Sequence, residues 1–453
     1  MNAFSRRGAC PALSAPMQTG DGLLVRLNPV PGGLAPKSLI GLCESALRHG
    51  NGIMEVTARG SLQIRGLTAD SAGLLAAEVD ALGIAVRTGV PVETGPLAGI
   101  DPQEIADSRP LAERIRAAVE EAGLTPRLGP KVSVVVDGGG QLAVDALTAD
   151  VRLKAVRTVA GVQWSVSVAG DSQSAKSLAT VDEDTARNIA VAALRMVAEK
   201  GREAHTRDLS DRQLASLAGW HSFAPPSVLP DMSGRTEGGA VGRQHSPIGL
   251  FDLSSSHALG IGLPFGSMPA QNLIDLAARA SDLGSAEIRM APGRTLLFLN
   301  LSPFASASLQ ASASALGFIT APTDPRTRIA ACPGAPACAS GRIATRAIAE
   351  EIATESPDLF DASLTLHISG CAKGCAHPGP AGLTLVGDEN EAGLVVDGTA
   401  KTLPAGYRPG YDAARGVAGI AAAIRNARHP GETAAACLTR LGATEIAELY
   451  RRN

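Results

Sequence analysis

Two stretches of this chain, far apart in sequence, resemble one another. Ser38 to Leu67 aligns without a gap against Asn272 to Leu301, pairing Leu39 with Leu273, Ile40 with Ile274 and Gly50 with Gly284. Each reads as a helix, a glycine stop and a strand carrying arginine. The flanks agree as well: a strand-like segment and a Pro/Gly turn precede each unit, Leu24 to Gly33 in one and Leu259 to Gly266 in the other. Such self-similarity is the mark of an internal duplication. The bland alternative is chance likeness between two helix–strand units of low identity.

Around the first copy the pattern predicts a strand over Leu24 to Asn28, a helix over Pro36 to His49, a strand over Met54 to Gly66 and a helix over Ser71 to Leu82. This β-α-β-α order suits a ferredoxin-like half-domain. Further on, Pro110 to Ala122 reads as a helix capped by Ser108. Lys131 to Asp137 reads as a strand turning into Leu142 to Ala146, and Asp184 to Lys200 as a helix. Ser222 to Pro247, rich in Pro, Gly and Ser, reads as a long connection. Beyond the second copy come a helix near Arg342 to Ala353 and strands at Leu364 to Ser369, Leu383 to Val386 and Leu394 to Val396. The fold class is α+β.

Composition excludes several functions. The 453 residues suffice for roughly three domains. With 45% hydrophobic and 19% charged residues the chain can build large cores, and aromatics are only 3%, so small aliphatics must fill them. A net charge of −3 gives no electrostatic reason to expect nucleic acid or an anionic membrane as partner. No apolar run is long enough to span a bilayer, and Met1 to Met17 lacks the apolar core of a signal peptide. A cytoplasmic enzyme is expected, and in that compartment seven cysteines point to metal or redox chemistry rather than disulfides.

Four of the seven form a pattern. Cys332 and Cys338 make a C-x5-C pair, and Cys371 and Cys375 a C-x3-C pair. A cubane cluster needs four soft thiolates brought close together. Loops broken by Pro333, Gly334, Pro336, Gly370 and Gly374 can bend tightly and leave backbone N–H groups free to face sulfur charge. We read the four as ligands of a [4Fe–4S] cluster. Structural zinc, which favours spacings of two to four, and inert buried thiols are the alternatives. Cys43 and Cys437 suit the inert reading, and Cys10 has no assignment.

In Thr57-Ala-Arg59-Gly-Ser61-Leu-Gln63-Ile-Arg65 every odd position is polar. If the segment is one strand, Thr57, Arg59, Ser61, Gln63 and Arg65 share a face. That face is either a solvated sheet surface or an anion-binding floor, since guanidinium groups match carboxylates bidentately. Lys131, Arg289, Arg294 and Lys373 could add to it.

Taken together, the paired cysteine motifs, the duplicated half-domains and the arginine-bearing strand resemble the sulfite and nitrite reductase superfamily. Within it the chain is most similar to a cobalamin-pathway branch that converts precorrin-3A to precorrin-3B. The carrying residues are Arg7-Gly-Ala-Cys10-Pro11, Gly20-Asp21-Gly22-Leu23-Leu24-Val25-Arg26-Leu27, Pro96-Leu-Ala-Gly99-Ile-Asp101 and Ser369-Gly-Cys371-Ala-Lys373-Gly-Cys375-Ala-His377-Pro378. The resemblance implies two ferredoxin-like half-domains plus two mixed α/β domains. The expected bounds are 1–92, 93–221, a linker at 222–247, 248–318, and a cluster domain at 319–453.

It also implies a reaction. Dioxygen would hydroxylate C20 of the tetrapyrrole, and a ring-A acetate would close a γ-lactone. The tetrapyrrole would be substrate, with Arg59, Gln63, Arg65, Lys131, Arg294 and Lys373 facing its carboxylates. A mononuclear non-haem iron is implied as well, with His49, His367 and His377 as candidates among the eight histidines and no obvious carboxylate partner. Electrons would come from NADH through a reductase, or from a ferredoxin. No Gly-rich nucleotide loop is present: Gly260 to Gly266 has the wrong spacing and contains a proline. Where those reductases carry a second anion-site lysine, this chain has Ser133. A siroheme-dependent sulfite or nitrite reductase is the runner-up, and a plain iron–sulfur electron carrier the third reading.

Overall fold

The computed structural model describes residues 11–30, 32–219, 246–389 and 391–452. Cys10 and most of the Pro/Gly-rich connection lie outside them. The chain opens with β1 (Met17–Thr19), β2 (Gly22–Leu27), β3 (Gly33–Leu34), α1 (Pro36–His49), β4 (Ile53–Val56), β5 (Leu62–Leu67) and α2 (Ala69–Ala81). Pro36 starts α1 where its missing N–H costs nothing. Leu39, Leu42, Cys43 and Ala46 then bury one stripe of that helix. Thr68 and Ser71 cap α2 reciprocally.

The segment expected to form a single strand over Met54 to Gly66 is instead a hairpin. Thr57 N–H donates to Ser61 O, Gly60 N–H returns to Thr57 O, and Gly60 adopts φ +83°. Glycine takes that left-handed conformation without strain, so turn chemistry overrides the alternation. Thr57, Arg59 and Ser61 therefore belong to the turn, and of the polar positions Gln63 and Arg65 share a face of β5.

A second lobe follows: β6 (Val92–Thr94), α3 (Ser108–Glu121), β7 (Val134–Asp137), β8 (Ala149–Thr158), β9 (Gly161–Gly170), β10 (Lys176–Val181), α4 (Glu183–Lys200) and α5 (Asp211–Ala218). The cap of α3 is Asp107, whose carboxylate accepts from Arg109 N–H, rather than Ser108. Leu142 to Ala146 is not a strand. β7 finds its partners in β6 and β8, both parallel, before β9 and β10 continue the sheet antiparallel.

The second copy contains β11 (Gly249–Asp252), β12 (His257–Gly262), β13 (Ser267–Pro269), α6 (Ala270–Asp282), β14 (Ile288–Ala291), β15 (Thr295–Leu301) and α7 (Pro303–Ala315). Every element from β1 to α2 has its counterpart in the same order, down to Ser302 capping α7 where Thr68 caps α2. The copies also exchange a strand. β13 completes the first sheet, in the order β1-β2-β5-β4-β13, and β3 completes the second, β11-β12-β15-β14-β3. α1 and α6 pack together, so Leu39, Leu42, Leu273 and Leu276 belong to one shared core. Each such leucine contributes roughly 1.5–3 kcal/mol by leaving water.

The last lobe is β16 (Ile329–Ala331), α8 (Thr345–Glu355), β17 (Leu366–Ser369), β18 (Ala381–Asp388), β19 (Glu391–Gly398), β20 (Gly406–Pro409), α9 (Ala413–Ala427), α10 (Ala434–Leu441) and α11 (Ala443–Arg452). Its sheet runs β16-β17-β18-β19-β20, with two parallel pairings and then two antiparallel ones. That is the topology of the β6–β10 sheet, so the duplication extends to both α/β lobes. Among the described residues no helix is long and apolar enough to cross a membrane.

Candidate functional site

Ligand sites in parallel sheets form beyond the carboxyl ends of the strands. Both cysteine loops lie there. Cys332 directly follows β16, and Cys371 follows β17 after one glycine. The loops are fastened to each other by backbone bonds. Arg342 N–H donates to Gly370 O at 2.8 Å, and Gly370 N–H points at Cys332 Sγ at 3.2 Å. A β-carbon on Gly370 would come within 3.1 Å of the Cα atoms of both Gly334 and Gly341, so the close approach requires glycine. Lys373 Nζ donates to Ser340 Oγ at 2.7 Å, tying the two loops together on the outside.

Cys332, Cys338, Cys371 and Cys375 are all free thiols. Burial raises the Cys375 pKa, and the negative charge that Cys332, Cys371 and Cys338 would carry raises it further. The four sulfurs are therefore electrostatic neighbours. Among the described residues no three His, Cys, Asp or Glu side chains converge as a single-ion site would require. A cubane makes a different demand, since each thiolate binds its own iron. Four soft donors, with a backbone N–H aimed at one of them, fit that group. Cys43 and Cys437 are buried in separate cores, and burial pushes the Cys43 thiol up to about 12.

The first copy braces the C-x5-C loop. Gly20 N–H and Arg65 Nη2 both donate to the Ala337 carbonyl, at 3.2 and 2.6 Å. Arg65 is 4% exposed and grips Asp21 with two 3.0 Å bonds. Gln63 accepts from Arg26 at 3.0 Å and donates to Glu55 at 3.3 Å, and Glu55 also meets Arg346. The face holding Gln63 and Arg65 is thus neither solvated nor an open floor. Its polar groups are occupied in joining lobes, which argues against direct substrate contact by either residue.

Arg59 lies elsewhere. Its turn, between β4 and β5, meets the equivalent turn between β14 and β15, where Gly293 N–H donates to Ala58 O at 2.9 Å. From this junction Arg59 reaches the second lobe, donating to Thr148 O at 2.9 Å and Ser133 Oγ at 3.4 Å. Arg294 points the other way, to Ala376 O at 3.3 Å, beside Cys375. Lys131 is exposed, two residues before Ser133. Arg59 and Ser133 thereby meet where the two copies and the second lobe join, while Arg294 faces the cysteine lobe. A cavity of about 470 Å³ opens at Arg59 and is walled by Thr94, Pro96, Arg87, Arg109 and Arg289. Arg87 and Arg109 carry no motif that sequence reasoning could use, and only tertiary packing brings them here.

The histidines divide. His49 bonds Glu78 Oε1 at 2.9 Å at the surface between α1 and α2. His367 is fully buried on β17, with both ring nitrogens unpartnered. Burial, then His377 and Arg294, lower its pKa to about 4, so the ring is neutral. His377 lies edge-on to it at 5.8 Å. No carboxylate joins the pair, and among the described residues a two-histidine, one-carboxylate iron site is not assembled. The residues described do not fit a mononuclear iron.

Residues 15–82 match the family model of the nitrite/sulfite reductase ferredoxin-like half domain. The chain superposes on the Mycobacterium tuberculosis NirA protein with a TM-score of 0.73, covering 94% of this chain and 84% of that one, at 18% identity. It is 22% identical over 417 residues to a ferredoxin–nitrite reductase of Synechococcus elongatus, spanning 86% of this chain and 81% of the relative. The duplicated lobes thus define a nitrite/sulfite reductase-like fold with a ferredoxin-like half domain of that kind. Identity rises to 40% over 451 residues with a precorrin-3B synthase of Sinorhizobium sp, spanning 99% of this chain and 96% of that protein. The chain belongs to the precorrin-3B synthase family.

Proposed function

We propose that this protein is a cytoplasmic oxygen-dependent enzyme that converts precorrin-3A to precorrin-3B in cobalamin biosynthesis. The observation that carries this reading is the 40% identity extending over nearly the whole of both chains. In the proposed reaction one atom of O2 becomes the C20 hydroxyl. The other leaves as water, formed with two electrons from NADH through a reductase or from a ferredoxin and with the balancing protons taken up from solvent. A ring-A acetate of the substrate closes the γ-lactone.

Cys332, Cys338, Cys371 and Cys375 would hold a [4Fe–4S] cluster, which supplies single electrons when bound. The substrate would occupy the three-lobe junction. Among the described residues Arg59 bonds neutral acceptors there, the Thr148 carbonyl and the Ser133 hydroxyl. A substrate carboxylate is a stronger acceptor for a guanidinium and would displace them. Arg294 and Lys131 would add positive charge at its rim. Lys373, engaged with Ser340, would act chiefly on loop geometry. Neutral, buried His367 brings no charge beside the Cys371 loop.

Ser133 stands where the resembling reductases carry a second anion-site lysine, and a pocket so short of positive charge favours the tetrapyrrole reading over reduction of sulfite or nitrite. The test is composition and turnover. Anaerobically purified protein should contain iron and sulfide without siroheme, and should consume precorrin-3A only with oxygen and a reductant both present. Bound siroheme with brisk sulfite or nitrite reduction would replace this reading with the reductase one.

A further inference from the structure

We infer that Arg65 is a positioning residue for the iron–sulfur centre, fixing the Cys338 loop and raising the reduction potential of the cluster. The inference rests on the reading of the four cysteines as cluster ligands.

The geometry is specific. The Ala337 carbonyl, one residue before Cys338, takes two donors from the first lobe: Arg65 Nη2 at 2.6 Å and Gly20 N–H at 3.2 Å. Gly20 must be glycine, because a β-carbon there would lie 2.6 Å from Pro336 O and 2.7 Å from Ala339 N. The β1–β2 turn is thus pressed directly onto the C-x5-C loop. Asp21, the next residue, orients the guanidinium by accepting from Nε and Nη2, each at 3.0 Å. Glu55 faces Nη1 at 3.6 Å and is itself tied to Arg346 on α8. Asp21, Glu55 and the Ala337 carbonyl thus hold the guanidinium between them. With only 4% exposure, water screens its charge weakly.

That charge lies close enough to Cys338 for the two to interact electrostatically. Reduction adds one electron, and so one negative charge, to the cluster and its thiolates. A fixed buried cation beside one corner stabilises the reduced form more than the oxidised one, which raises the potential. Removing the cation while Asp21 and Glu55 remain leaves two nearby carboxylates with less compensation, and shifts the potential down. Arginine is suited to both tasks, since it cannot deprotonate and its fork bridges a carboxylate and a carbonyl at once.

The experiment is a dithionite titration followed by EPR on the unaltered protein and on Arg65→Gln and Arg65→Lys, with iron and sulfide measured for each. Arg65→Gln should still bind a cluster but require at least tenfold more reducing conditions, about 59 mV for a one-electron couple. Arg65→Lys keeps the charge and should recover most of that shift. Binding of precorrin-3A, followed optically, should be equal in all three. An unchanged potential in Arg65→Gln, or a potential unmoved alongside tenfold weaker precorrin-3A binding, overturns the inference and returns Arg65 to substrate recognition. Absence of iron and sulfide from the unaltered protein is a different failure, that of the cluster assignment itself.

Discussion

Arg65 and Arg59 are six residues apart, and the structure gives them opposite surroundings. Alternation in sequence tells which side of a strand a residue occupies, but not what covers that side. Arg65 is enclosed by Asp21, Glu55 and the Ala337 carbonyl of the C-x5-C loop, whereas Arg59 is carried off the strand by the Gly60 turn. Arg59→Ala should therefore weaken precorrin-3A binding by roughly 1.5–3 kcal/mol, the value of a charged hydrogen bond, without altering cluster content. Calorimetric titration measures this, and unchanged affinity in a folded variant would remove Arg59 from the site. The meeting of the two cysteine loops was legible because Gly and Pro in both let them bend tightly and approach one another. Cys371→Ser should abolish the broad iron–sulfur absorption, since a harder oxygen ligand holds the cubane poorly. Cys43→Ser, in the shared core, should leave that absorption intact.

At the scale of elements, helices bounded by Pro, Gly and caps were read closely, and α1 matches its expected bounds. Elements defined by partners were not. β7 needs β6 and β8 beside it, and its own four residues cannot reveal that it sits inside a parallel sheet. The long loop from β6 to α3 was equally opaque, although it holds a titratable group of interest. Burial, opposed by the Gly99 N–H bond and reinforced by Asp107 and Asp101, raises the Glu104 pKa to about 7 from 4.5. Because the folded value is the higher one, its contribution to stability is full below about pH 4.5 and lost as pH rises through 7. Glu104→Gln keeps an acceptor for Gly99 but never ionises. Urea unfolding should find it more stable than the unaltered protein at pH 8, by about 1–2 kcal/mol after solvent screening, and equal to it near pH 4. No difference between the two pH values would show that Glu104 ionises freely in the folded state.

For the molecule as a whole, the duplication was half legible. The helix–strand units kept a gapless register, because the shared α1–α6 core and the exchanged strands tie their lengths together. The α/β lobes share only topology. Their loops beyond the parallel strands diverged, one pair carrying Cys332, Cys338, Cys371 and Cys375, the other Gly95 to Asp107 and Gly138 to Gln141. One lobe thus carries the two cysteine loops, while the other supplies Ser133 and Thr148 to Arg59 across the junction. In this account a reductase scaffold has been turned to tetrapyrrole oxidation, and the origin of the new oxygen tests it most directly. Precorrin-3A turned over under oxygen-18 gas should yield a product with one heavy atom, located by mass spectrometry at the C20 hydroxyl, and an unlabelled lactone ring oxygen derived from the substrate acetate. A product whose C20 oxygen carries no label from the gas, and acquires it from oxygen-18 water instead, would contradict the account.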